Sequence, residues 1–216
     1  MTQSTPQYSG KGYIESRIDL GNSHYEATAS RAGAGMFLSI GPEKLIVTQR
    51  QGNGSYRNYF GIQVPETFFR DNSVDLAGDV EGMRRLLLSD FYADWADEYK
   101  DLIRHGTSFR AWPLYTLAAE DMGWKPAPGV TLAGDAAHLA IPNGEGVNLA
   151  MTDALRLASL IAEHGVEDAD RAVREYEEEM FPRGKATIED GKSMANVMYR
   201  GDPKAFIELL SVGHHE

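Results

Sequence analysis

The sequence predicts an α+β fold, with an antiparallel sheet and its helices first and helices alone towards the C-terminus. Three observations carry this. Short alternating or apolar runs separated by turn signals fill the first half. A short apolar run then enters a Gly-Asp pair and a Gly-rich loop at residues 130–146. Beyond residue 144 the apolar spacing becomes that of helices, and sheet first with helices last is the α+β order.

Tyr13 to Leu20 places Ile14, Ile18 and Leu20 on one face and Glu15, Arg17 and Asp19 on the other, the alternation of a half-buried strand. Met36 to Ile40 and Leu45 to Arg50 read as two strands joined at Gly41-Pro42. Gln51-Gly52-Asn53-Gly54 reads as the hairpin connection into a third, Tyr56 to Val64. Asp79 to Leu88 and Trp95 to Arg104 read as helices, the second with Trp95, Tyr99, Leu102 and Ile103 at helical spacing. Thr107 to Leu117 is an edge or bent strand because of Pro113. Val130 to Ala133 is a short buried strand. Val147, Ala150, Met151, Ala154, Ala158 and Ile161 form the apolar stripe of a helix stopped at His164-Gly165. A charged helix follows from Asp168, bent or broken near Pro182, and a last one spans about Pro203 to Leu210.

Composition narrows the function classes. With 216 residues and 42% hydrophobic content there is enough material for a core. The net charge of -11 argues against nucleic-acid partners, which need a basic footprint, and against anionic membranes. No apolar run reaches the roughly 18 residues of a spanning helix. Without cysteine there are no disulfides, thiolate nucleophiles or thiolate-bound metals. The N-terminus lacks a cationic region followed by an apolar one, so a soluble cytoplasmic protein is expected.

The stretch richest in chemistry is V-T-L-A-G-D-A-A-H-L-A-I-P-N-G-E-G-V-N-L-A-M-T-D-A, from Val130 to Ala154. A strand ends in a glycine, so the chain turns without a Cβ clash, and the acid Asp135 follows at once. A loop with Pro142, Gly144 and Gly146 then delivers backbone into a helix start. Small residues there let a flat ligand approach the main chain, and a helix N-terminus offers unpaired N–H groups and partial positive charge. Asp135 is an acceptor for ligand hydroxyls. A tight structural connection with Asp135 as a cap is the alternative.

G-D-A-A-H followed by Pro, G-x-G-x-N and a downstream D-A resembles the second flavin-binding motif of class A FAD-dependent monooxygenases, the p-hydroxybenzoate-hydroxylase-like enzymes. The resemblance runs along most of the chain and looks closest to the tetracycline-inactivating monooxygenases and their fungal relatives, which have segments similar to W-A-D-E-Y-K-D-L-I and Y-E-E-E-M-F. It implies FAD as cofactor, NAD(P)H as reductant, and an aromatic or polycyclic small molecule as substrate, in secondary metabolism. Carried over, Asp135 takes the ribityl chain, while Gly134, Pro142, Gly144, Gly146, Val147 and Asn148 form the ring cradle. This chain is one residue shorter than the tetracycline-inactivating branch between His138 and Gly144, and Glu145 adds negative charge there.

The resemblance further implies three parts: a substrate-binding β-sheet domain over 1–129, a remnant of the FAD-binding domain over 130–165 and C-terminal helices over 166–216. The family's opening G-x-G-x-x-G unit, which holds the pyrophosphate, has no counterpart. Arg31-Ala32-Gly33-Ala34-Gly35 has Leu38 where a third glycine would stand and reads as turn residues, and Asp190-Gly191 does not replace the family's middle Asp-Gly motif. The Rossmann-type unit is thus expected to be missing and the chain to be inactive alone, with a separate nucleotide-binding half as a possible partner.

Substrate-side candidates are Gln49, Arg57, Tyr59, Gln63 and Trp112. Arg57, Tyr59, Gly61 and Gln63 share one face of their strand, and Tyr56, Asn58, Phe60, Ile62 and Val64 the other. A solvated strand face, or for Phe109, Trp112 and Pro113 ordinary packing, is the competing explanation. Arg50 has the same status. His138 reads as a loop-shaping hydrogen-bonding group, because the cofactor performs the hard chemistry in this family. The catalytic residue is unknown, and no metal site is expected. Two further readings stay open: a non-redox domain repurposed for small-molecule binding, isomerisation or cyclisation, and a nonfunctional fragment with an exposed apolar face.

Overall fold

The computed structural model describes residues 2–71 and 79–212. Five strands form one sheet, in the order β2-β3-β4-β1-β5: β1 (Gln7–Ile18), β2 (Met36–Gly41), β3 (Lys44–Arg50), β4 (Tyr56–Gln63) and β5 (Thr107–Thr116). The helices are α1 (Tyr25–Ala32), α2 (Phe68–Asp71), α3 (Val80–Leu86), α4 (Asp97–Arg104), α5 (Asp135–His138), α6 (Gly146–His164), α7 (Ala169–Arg200) and α8 (Pro203–Val212). The mixed fold with an antiparallel sheet and C-terminal helices is as expected. The chain forms two compact units. One holds Tyr115–Asn196 with the N-terminal residues to Ser9, and the other holds Gly10–Leu114 with the chain from Val197.

In the sheet unit, alternation decides which side is covered. Ile14 and Ile18 of β1, Ile46 of β3, and Tyr56, Phe60 and Ile62 of β4 are buried against Met83 of α3, Leu87 and Tyr92 just beyond it, and Leu102 and Ile103 of α4. Phe109 joins this core, whereas Trp112 and Pro113 are exposed. Asn58 on the covered face is satisfied by Thr48, whose hydroxyl donates to it at 2.9 Å, and by Ser16 at 3.3 Å. The β3–β4 hairpin forms because the Gln51 amide reaches the Ser55 carbonyl at 2.8 Å, while Asn53 Oδ1 accepts from the Ser55 amide and hydroxyl at 3.1 and 2.7 Å. Leu20 is 65% exposed, contrary to the expected inward alternation. The strand ends at Ile18, and the turn at Asp19–Asn22 carries Leu20 past the covered region.

In the helical unit, Trp124, Ala137, Leu160, Ala172, Tyr176 and Met180 form the main core. α7 runs as one element through Pro182, so the helix is not broken there. Gly191 lies against Ile141: a Cβ there would come within 2.5 Å of the Ile141 carbonyl oxygen, so only glycine lets the 139–142 segment pack so closely.

Two expectations need correcting. Thr131 to Ala133 form no strand, and Val130, in an isolated bridge to Ala127, is 47% exposed. Side chains of α7 serve this segment where strand neighbours would: Tyr176 donates to the Leu132 carbonyl at 3.0 Å, and the Thr131 hydroxyl donates to Glu177 at 2.9 Å. On α6 most of the apolar stripe faces outward. Val147, Met151 and Leu155 are all exposed, while Asp153 and Leu160 are buried. The helix is apolar on two sides, so spacing alone did not say which side is covered.

Candidate functional site

The Gly134-Asp135 elbow opens α5. Gly134 has φ 57° and ψ -142°, a combination open essentially to glycine alone, and it is buried with its Cα side towards Ala150 of α6. Asp135, at the first position of the short helix, is exposed. His138, at its end, is buried with its ring nitrogen Nε2 2.6 Å from Asp153 Oδ2.

Asp153 organises this turn. It is fully buried on α6 and accepts the Gly134 amide at 2.8 Å, His138 at 2.6 Å and the Arg183 guanidinium of α7 at 2.8 Å. Burial opposes its ionisation, but the Gly134 amide, Arg183 and His138 together outweigh burial and hold its carboxyl below the ordinary value. An ionised Asp153 fixes His138 Nε2 as the donor. One carboxylate thus ties the elbow, α5, α6 and α7. Sequence reasoning gave His138 a hydrogen-bonding role and quoted Asp153 within the motif, but it assigned no function to Asp153 or Arg183. The recoverable signal was an acid on a helix face flanked by apolar residues.

Pro142, Gly144, Glu145, Gly146, Val147 and Asn148 are all exposed. A Cβ at Gly144 or Gly146 would meet nothing within 4 Å, so the loop backbone is open on that side. α6 begins with no side-chain cap and no acid in its first turn, which leaves its leading amides without intrahelical acceptors. The Glu145 carboxylate accepts from the Asn148 side chain at 3.3 Å, at the edge of this turn.

The substrate-side candidates lie in the sheet unit. Gln49 stands directly opposite Arg57 on neighbouring strands, Tyr59 opposite Glu15, and Gln63 opposite Lys11. Arg57 donates to the Tyr59 hydroxyl at 3.3 Å, and the Trp112 indole donates to Glu15 at 3.0 Å. Gln49 and Gln63 are exposed and Trp112 is 46% exposed. Glu15, which sequence reasoning left out, links Trp112 to Arg57, whose Nε lies 3.3 Å from Glu15 Oε1; Tyr59 joins through Arg57, while Gln63 lies further along the strand. Burial pushes the Tyr13 hydroxyl up to about 12, helped by Tyr59 beside it, so Tyr13 is a neutral hydroxyl near neutral pH. Arg50 is exposed at the hairpin end of β3.

Residues 100–190 match the FAD binding domain family. Monooxygenase penA of Penicillium thymicola is 28% identical over 224 residues, covering 85% of this chain and 52% of that protein. Monooxygenase asqM of Emericella nidulans is 28% identical over 185 residues, covering 71% and 42%. The chain is thus similar to two fungal monooxygenases and, over residues 100–190, to the FAD binding domain family. It spans about half the length of the curated relatives it matches. The fold is also that of Klebsiella pneumoniae HpxO complexed with FAD and uric acid, with a TM-score of 0.73 at 20% identity over 98% of this chain and 50% of that one. Pseudomonas aeruginosa PqsL in complex with 2-aminobenzoylacetate gives a TM-score of 0.65 at 23% identity, over 96% and 53%.

The match to the FAD binding domain takes in the whole stretch from the elbow to the start of α6. That stretch suits part of a flavin: an exposed carboxylate for hydroxyls, then an open glycine loop for a flat ring, then free amides for negative charge. Among the described residues no cluster of His, Asp and Glu could hold a metal ion, and no helix is long and apolar enough to cross a membrane.

Proposed function

We propose that this chain is the substrate- and flavin-ring-binding portion of an FAD-dependent monooxygenase that hydroxylates an aromatic or polycyclic small molecule with NAD(P)H as reductant. The observation that carries this is the elbow itself. A glycine-only conformation at Gly134 is pinned by a buried carboxylate, and it delivers the exposed Asp135 and an open glycine loop into an uncapped helix. Asp135 binds the ribityl hydroxyls, and Gly134, Pro142, Gly144, Gly146, Val147 and Asn148 form the cradle for the ring. When bound, FAD supplies the redox and oxygen chemistry. The chain's own residues position it: the α6 amides offer hydrogen bonds to an electron-rich ring edge, and His138 and Arg183 hold the loop through Asp153.

The chain works in the cytoplasm with a nucleotide-binding half that holds the ADP part of FAD. Supporting this partner, Met151 and Leu155 stand at i and i+4 on the exposed side of α6 beyond the cradle, an apolar pair of the kind that another protein covers. The test is to add a nucleotide-binding half, pull the two down together and assay retained FAD and NAD(P)H oxidation. Retained flavin that is lost with Asp135→Ala is expected. An associated pair that holds no flavin contradicts the proposal.

A further inference from the structure

On the covered side of the sheet, α1 and α4 leave the space between them unfilled. Phe37 of β2 and Thr48 of β3, directly opposite each other in the register, form its floor. The facing positions of α1 include the small residues Ala27, Thr28 and Ala32, and those of α4 include two acids, Glu98 and Asp101. Small and charged side chains do not close such a gap, and a cavity of about 160 Å³ remains. An apolar cavity of about 150 Å³ takes up benzene, so this one suits a molecule of about six heavy atoms.

The polar side chains around it are mostly acceptors. The Thr28 hydroxyl donates to the His24 carbonyl at 3.0 Å and the Thr48 hydroxyl to Asn58 at 2.9 Å, so each has only lone pairs left. Arg31, a donor, is already engaged: it donates to the Glu98 carbonyl at 2.8 Å, pairs with the Glu98 carboxylate at 3.2 Å and lies over the rings of Phe37 and Tyr99. Asp101 Oδ1 accepts from Arg104 at 2.6 Å, a guanidinium shared with Asp97. Among the described residues Asp101 Oδ2 makes no hydrogen bond. It stands 4.0 Å from His24 Nε2, too far for a direct bond and close enough for one donor group to bridge. His24 stacks on His105 at 4.6 Å between ring centroids. Burial and then His105 hold the His24 imidazole below its ordinary value, with Asp101 opposing and Arg31 adding to this. Near neutral pH it is an uncharged ring with one acceptor nitrogen.

We propose that this cavity binds a small primary ammonium ion, which donates to Asp101 Oδ2 and His24 Nε2 and lays its apolar part against Ala27, Ala32 and Leu102. An ammonium supplies several N–H donors to a site that has acceptors to spare, and it meets a carboxylate oxygen that no donor has taken. The chain's net charge of -11 draws cations towards it. The site is separate from the Gly134 elbow and does not depend on the monooxygenase reading.

The full chain is titrated with n-butylammonium, neutral n-butanol and n-butyltrimethylammonium, which keeps the charge but has no N–H, by NMR shifts of backbone amides and imidazole rings at about pH 7.5. Butylammonium is expected to bind saturably in the millimolar range, about tenfold or more tighter than either control, with shifts at His24, Thr28, Thr48 and Asp101. Asp101→Asn, a near-isosteric change at a partly exposed helix position, is expected to weaken butylammonium by about fivefold or more and leave butanol unchanged. Ala27→Leu, at an exposed position on the rim, takes up the space and is expected to weaken both. As pH falls through the titration of His24, below about 6.5, the protonated ring turns from acceptor to a second cation, and butylammonium should be released while butanol is not. Equal binding of the alcohol or the quaternary ion, shifts confined to other residues, an unchanged affinity in Asp101→Asn, or no saturable binding overturns the proposal.

Discussion

The sheet unit buries one broad apolar face, where Ile14, Ile18, Ile46, Phe60 and Ile62 meet Met83, Leu87, Tyr92 and Ile103. Around the elbow, the helical unit instead centres on Asp153, with a carboxylate, an imidazole, a guanidinium and a backbone amide meeting out of water. The sheet side gains stability from area, which many substitutions preserve. The elbow gains definition from a few directional contacts, each of which leaves an uncompensated partner when removed. The elbow unit also leaves an apolar stripe of α6 exposed, while the sheet unit leaves Trp112 and parts of Arg17 and Arg57 exposed around a buried Glu15. Apolar packing supports the scaffold, and polar contacts set the conformation a ligand would read.

The largest effects should be similar in size but different in kind. Phe60→Ala is expected to cost about 3–5 kcal/mol in urea unfolding, a cavity effect that is insensitive to pH. Asp153→Ala strands His138, Arg183 and the Gly134 amide and is expected to cost about 3 kcal/mol or more, part of which Asp153→Asn restores. If Asp153→Ala unfolds no more easily than a surface substitution, the contrast between the units breaks. Gly134→Ala forces a side chain into a glycine-only conformation and up to 3.2 Å from Ala150, with a loss of about 1–3 kcal/mol.

A smaller effect should follow pH. Because the folded Asp153 carboxyl is held below its ordinary value, the unfolded chain binds more protons in mild acid. Its contribution is complete above the ordinary carboxylate range near about 4 and is lost as pH falls through the lower folded value. Urea midpoints between neutral pH and about pH 3 should therefore fall more steeply for the native chain than for Asp153→Asn. Parallel slopes would remove the ionised Asp153 from the account. The smallest effect on stability is expected for Met151→Gln on the exposed α6 stripe, within about 0.5 kcal/mol. The same substitution should weaken capture of a nucleotide-binding half.

Much of the sheet was legible because period-2 alternation and turn chemistry act locally. β2, β3 and β4 fall where Met36, Leu45 and Tyr56 open their runs, and the covered face of β4 is the one that alternation assigned. Burial at the elbow was less legible, since it depends on contacts remote in sequence. Val130 had the composition of a buried strand residue but lacks strand neighbours on both sides, and Val147 and Met151 belong to a helix apolar on two sides. The motif located Asp135 and its loop. It could not reveal that Arg183, some thirty residues beyond Asp153, completes the elbow's anchor, because only the fold of α7 brings them together. Glu15 was likewise invisible until strand register set it opposite Tyr59, within reach of both Arg17 and Arg57.

The most direct test of the central claim compares FMN, FAD and ADP as ligands of the purified chain, by amide NMR shifts and flavin fluorescence. If residues 134–148 contact the ring and ribityl side only, FMN and FAD will perturb the same amides with affinities within about threefold, Asp135→Ala will weaken both, and ADP will do nothing. Perturbation by ADP, or no response at 134–148 to either flavin, would contradict the account.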